Sequence, residues 1–103
     1  MPQIHLIERA RKQKLLDRSS QSYESGNWVV SQSTAESLVG GRIYFHEAQA
    51  GPSYFGGVIT GFRVLPNPDV DAERIVFAFT ADRDGIGVLA GTDGWGNEKK
   101  IIP

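Results

Sequence analysis

The chain has 103 residues, 40% of them hydrophobic and 22% charged, with twelve glycines and no cysteine. This length supports one core and a single domain over 1–103, and the absence of cysteine excludes disulfides and thiolate metal sites. A reducing, cytoplasmic setting without a membrane partner is expected, since the start Met1-Pro2-Gln3-Ile4-His5 has no apolar leader-type run and no stretch approaches the ~20 residues that span a bilayer. The net charge of −1 hides an asymmetry: residues 1–18 carry +3 and the remainder −4.

Residues 3–17 are predicted to form a basic amphipathic helix. Ile4, Ile7 and Ala10 recur at helical spacing, Leu15 and Leu16 extend the apolar stripe, and Arg9, Arg11 and Lys12 lie on the other face. Such a helix can meet an acidic partner, a protein partner or a second copy, or it can dock on its own domain. It is expected to fray at Ser19-Ser20-Gln21-Ser22, where hydroxyl side chains compete for backbone groups. A connector over 19–27 leads to the β-prone Trp28-Val29-Val30. Ser33 and Glu36 form a capping pattern that starts a two-turn helix, and Gly40 suits its C′ position.

Strands are expected at Arg42–Glu47 and Gly57–Leu65, with a stop at Pro66-Asn67-Pro68-Asp69. A third is expected at Arg74–Thr80, apolar on both faces, as in a central strand or a barrel wall. Asp82-Arg83-Asp84-Gly85 reads as a turn and Gly87–Ala90 as a fourth strand. Gly91–Asn97 reads as a loop around Trp95, and Lys99–Ile102 as an edge strand. Short strands, two helices and dense glycine turns suit an α+β fold built on a small, mixed, partly closed β-barrel, because an open sheet leaves apolar edges exposed.

Leu38-Val39-Gly40-Gly41, the strand Arg42-Ile43-Tyr44-Phe45-His46, the loop with Pro52-Ser53 and the return strand Gly56-Gly57-Val58-Ile59-Thr60-Gly61-Phe62 resemble the PUA-like superfamily, nearest its EVE and ASCH branches. The similarity covers about residues 28–80. It implies a β-pseudobarrel with a pocket at its mouth, in a family whose members bind RNA or read a modified base in an aromatic cage. Trp28 matches a pocket aromatic, and His46 with the loop from Glu47 to Phe55 matches the strand end and loop that border the pocket. The basic, asparagine-rich signature of the EVE branch and the lysine-centred catalytic pattern of the small ASCH hydrolases are not evident.

The residues themselves offer little catalytic chemistry. His46 and Glu47 are adjacent on a strand and point to opposite faces; His46 reads as a donor either to a loop carbonyl or to a ligand. His5 and His46 lie on different elements, so no metal or other cofactor is implied. Asp82-x-Asp84-Gly85 lacks the rest of a calcium loop, and Asp69 and Asp71 read as a polar loop. There is no nucleophile elbow and no phosphate-binding glycine loop. The candidate ligand contacts are therefore Trp28, Tyr54 and Trp95 for stacking and His46 and Ser53 for hydrogen bonds. Trp95, flanked by Gly94 and Gly96, either plugs the barrel mouth or stacks on a ligand. Arg9, Arg11, Lys12, Arg42 and Arg63 are the candidate phosphate contacts. The expected function is a small non-catalytic module that binds a nucleotide, a modified base or single-stranded nucleic acid. The alternatives are a protein-interaction or self-assembly module acting through the N-terminal helix, and a small ASCH-type hydrolase.

Overall fold

A computed structural model describes residues 2–66, 74–96 and 98–103. Part of the expected stop at 66–69, the Asp69 and Asp71 loop, and Asn97 lie outside the described residues. The elements run β1 (Gln3–Ile7), β2 (Lys14–Asp17), β3 (Ser22–Trp28), α1 (Gln32–Leu38), β4 (Arg42–His46), β5 (Ser53–Leu65), β6 (Arg74–Ala81), a 3₁₀ turn (Arg83–Gly85) and β7 (Lys99–Ile102). One sheet holds all seven strands in the order β2-β3-β6-β5-β4-β1-β7. β1 pairs parallel with β4, and every other ladder is antiparallel.

Two expectations are overturned here. There is no N-terminal helix, and the sheet does not close into a barrel; the described residues are mostly sheet with a single α-helix. Residues 3–7 carry Ile4, Leu6 and Ile7 close together, so the spacing of Ile4, Ile7 and Ala10 mimics a helical stripe. In the fold Ile4 and Leu6 enter the core while His5 and Ile7 are buried on the opposite face, the period of a strand covered on both sides. Leu15 and Leu16 do not extend a stripe: they sit on the edge strand β2, 40% and 50% exposed. The self-assembly route through an N-terminal helix therefore lacks its element.

The sheet stays open because its edges are blunted. β2 has four residues, all exposed, and a bulge between Leu15 and Asp17; β7 also has four. Short, bulged, lysine-bearing edges resist further pairing. The sheet is nevertheless strongly curled. Tyr23 on β3 meets Phe55 on β5 edge-on at 4.9 Å, and Phe45 on β4 reaches Phe79 on β6 at 5.3 Å. Phe45, Phe77 and Phe79 are fully buried with Ile4, Leu6, Ile43, Ile59 and Ile75. Each such side chain contributes about 1.5–3 kcal/mol. β5 is long enough to serve two neighbours: Ser53–Val58 pairs with β4 and Gly57–Leu65 with β6.

α1 closes one end of the core with Ala35 and Leu38. Its cap is Ser31, whose Oγ accepts from the Thr34 amide at 3.2 Å, and not the expected Ser33. Buried Val30 fixes the chain's entry one residue ahead of that cap. Gly40, at φ 87°, occupies the C′ position. Segment 87–90 forms no strand; its backbone is held to Ser53 instead, through Gly87 N to Ser53 O and Ser53 N to Val88 O, both at 2.8 Å.

The 3₁₀ turn packs directly onto β5 through two facing glycines. A Cβ on Gly85 would lie 2.3 Å from the carbonyl carbon of Gly56, whereas one on Gly61 meets open space. Gly85→Ala is expected to lower stability by about 1–3 kcal/mol, and Gly61→Ala to change it by less than about 0.5 kcal/mol. Urea denaturation of the two variants measures the difference; equal midpoints would contradict the packing described.

Candidate functional site

The register of β1 against β4 pairs Gln3 with Arg42, His5 with Tyr44 and Ile7 with His46, and β7 sets Lys100 opposite His5. These side chains share the face away from the core. Tyr44 stacks on His5 at 4.8 Å, and the Arg42 guanidinium lies 5.5 Å over Tyr44. Segment 86–96 covers this face in place of a second layer. Trp95 stands edge-on to His46 at 5.7 Å and to His5 at 6.4 Å. Lys100 Nζ donates to the Ala90 carbonyl, and Trp95 Nε1 donates to Gly91 O at 2.8 Å.

The two imidazoles are in contact, with His5 Nδ1 2.9 Å from His46 Nε2. His46 Nδ1 lies 2.9 Å from Gly51 O, and His5 Nε2 lies 3.0 Å from the Gln3 side-chain amide. The Gly51 carbonyl can only accept, so His46 carries its proton on Nδ1 and accepts at Nε2 from His5 Nδ1–H. Neutral His5 then accepts at Nε2, which requires the Gln3 amide to turn its NH₂ toward the ring. Burial lowers the pKa of His46. It lowers that of His5 to about 4, helped by the neighbouring His46 and Lys100. Both rings are therefore neutral at pH 7 and buried, and they are structural rather than open to a ligand. Sequence reasoning missed His5 because β1 read as helix; the alternation of His5 with Ile4 and Leu6 was the available signal.

The other expected contacts lie elsewhere. Ser53 is buried, its Oγ donating to Gly85 O at 2.7 Å and accepting from Val88 N at 3.0 Å. The Tyr54 hydroxyl donates to Glu8 O at 2.6 Å and accepts from Gln13 Nε2 at 2.9 Å, which pins loop 8–13. Arg11 stacks 4.2 Å over the Tyr54 ring and pairs with Glu47 at 2.5 Å. A shallow hollow of about 220 Å³ lies here, lined by Arg11, Gln13, Tyr23, Tyr54 and Phe55. Arg42 forms a two-pronged pair with Asp82 at 2.5 and 3.1 Å, and Arg63 another with Glu24 at 3.0 and 3.3 Å. Arg9 and Lys12 are exposed on loop 8–13. Three of the five expected phosphate contacts thus already hold carboxylates, and the five are spread over the molecule.

A second and larger hollow lies where the curled sheet fails to close, between the end of β3 and the start of β7. It encloses about 740 Å³, with Asn27, Trp28 and Val29 on one wall and Gly96, Glu98 and Lys99 on the other. Trp28 is half-buried, its Nε1 donating to Ser25 Oγ at 3.0 Å, which fixes the indole plane. Lys99 Nζ spans the gap to donate to the Val29 carbonyl, leaving two further N–H groups. Gly96 and Lys99 exchange both backbone hydrogen bonds, at 2.8 and 3.1 Å, so that wall is braced. Of the expected ring contacts, only His46 and Trp95 come together; Trp28 faces this cleft and Tyr54 the hollow at loop 8–13. Asn27 carries no distinguishing sequence signal, and Lys99 is legible in the sequence only as the first residue of an edge strand.

No family model matches the chain, and no curated protein or solved structure matches it. Among the described residues, no helix is long and apolar enough to cross a membrane.

The Ser53 contacts predict a structural outcome. Ser53→Ala leaves Gly85 O and Val88 N without their partner and is expected to cost about 1–3 kcal/mol. Hydrogen exchange should quicken at Val88 first. Wild-type exchange at that amide would refute the pinning role.

Proposed function

We propose that this chain is a non-catalytic binding module that holds a nucleotide, or a base of single-stranded nucleic acid, in the cleft between β3 and β7. In this reading the base stacks on the Trp28 indole, the Asn27 amide reads its polar edge, and Lys99 meets the phosphate. The supporting observation is the pairing, across one opening of about 740 Å³, of an indole held by Ser25 with an ammonium that has N–H groups to spare. That size suits a small ligand, and one base stacked on an aromatic is worth about 1–3 kcal/mol. Binding is preferred to catalysis because both histidines are buried away from these walls, leaving Asn27, Glu98 and Lys99 as the polar side chains there.

Titration with nucleoside monophosphates and short RNA and DNA oligomers, at low and at moderate salt, tests the reading. Affinity is expected to fall with salt, since Lys99 meets phosphate. Trp28→Ala should weaken binding by about 5- to 150-fold, the stacking energy converted to affinity. Lys99→Met should flatten the salt dependence. Absence of binding at low salt, or full affinity in Trp28→Ala, would reject the cleft as the site.

A further inference from the structure

The face opposite the core holds an arrangement that ligand binding does not use. His5 sits between two partners in register, Tyr44 on β4 and Lys100 on β7. Lys100 in turn holds the covering segment at Ala90, and Trp95 from that segment rests on both imidazoles. The chain then continues to Gly96, on the cleft wall.

We propose that the His5–His46 pair is an acid-sensitive latch, in which proton uptake by His5 drives segment 86–96, with Trp95, off this face and moves one wall of the cleft. The neutral pair is fully hydrogen-bonded in one direction only, from His5 to His46 to Gly51. A proton on His5 Nε2 can be accepted by the Gln3 amide oxygen, so hydrogen bonding alone does not prevent uptake. The charge is what the site cannot hold. His5 is 1% exposed and lies opposite Lys100 in the β1–β7 register, whose ammonium charge disfavours a proton on the imidazole; like charges on facing residues of paired strands are destabilising. The groups around the rings are Gln3 from β1, Tyr44 from β4 with Arg42 beyond it, Lys100 from β7, Trp95 from the cover and the Gly51 carbonyl from the β4–β5 loop. Among the described residues no carboxylate pairs with either imidazole: Glu47, next to His46, is turned to Arg11, and Asp82 is taken by Arg42. A second proton, on His46 Nε2, would set two N–H groups against each other across 2.9 Å. Stacking of Tyr44 on a charged His5 offsets part of the repulsion but neutralises no charge.

The sign follows from linkage. The covered state holds His5 at about 4, below its ordinary 6.5, so the uncovered or unfolded chain binds the proton more readily. Closure is fully favoured above pH 6.5 and is lost as the pH falls toward 4. The latch does not depend on what the cleft binds, so either can fail without the other.

Fluorine NMR of the full chain labelled with 5-fluorotryptophan, from pH 7.5 to 4, reads Trp95 and Trp28 separately. The Trp95 resonance is expected to move toward its solvent-exposed position while far-UV dichroism keeps its neutral-pH value. His5→Gln should abolish that movement. Lys100→Gln, which keeps a donor for Ala90, should raise the His5 pKa and flatten the pH dependence, and it decides the matter if His5→Gln does not fold. A Trp95 signal unchanged to pH 4, one that moves only together with loss of sheet dichroism, or the wild-type profile retained in both variants would overturn the latch.

Discussion

The parallel, in-register pairing of β1 with β4 is the constraint on which the rest of this structure depends. It brings five N-terminal residues into the interior of the sheet, between β4 and β7, where both of their faces are buried. Ile4 and Leu6 complete the core beside Ile43 and Phe45, and His5 meets His46 from 41 residues away. Parallel neighbours need a long connection between them. Here that connection contains loop 8–13, β2, β3 and α1, so the chain crosses from one end of the strand order to the other and back. Tyr54 anchors the outward crossing through Glu8 and Gln13.

A strand buried on both faces needs cover on both. α1 and the curl of the sheet cover the inner face. Among the described residues no second helix covers the outer face, so segment 86–96 covers it through three attachments: Ser53 at Gly85 and Val88, Lys100 at Ala90, and Trp95 on the imidazoles. The same economy leaves the cleft. β2 covers β3 only through Ser22–Glu24, so the stretch that ends in Trp28 has no strand beyond it, and β7 is too short to reach across. The opening between β3 and β7 is thus a consequence of strand length, spanned by a single lysine.

Local chemistry made about half of this legible. β4, β6 and β7 follow from alternation and turn residues, and β5 was found from Gly57 onward, because cross-strand burial and sequence period agree there. β1 was not read as a strand: over five residues the alternation of Gln3 and His5 with Ile4 and Leu6 is short, and Ile7 breaks it by placing an apolar residue on the polar face. β2 and β3 were equally hidden, since Ser22-Tyr23-Glu24-Ser25-Gly26-Asn27-Trp28 has little strand propensity and is held by β6 rather than by its own composition. The open sheet was missed because closure depends on edge lengths that no local window contains. In the site, Trp28 was reached through the family resemblance, as a match to a pocket aromatic. Its partner Lys99 and the contact between the histidines are products of topology.

The most direct test of this account is the scalar coupling across the hydrogen bond between His5 Nδ1 and His46 Nε2, measured by NMR on nitrogen-15-labelled protein at neutral pH. The account predicts a resolved coupling between these two nitrogens, both rings neutral and protonated on Nδ1, and extended-backbone carbon shifts over Gln3–Ile7. Helical shifts over those residues with no coupling between the rings would contradict it.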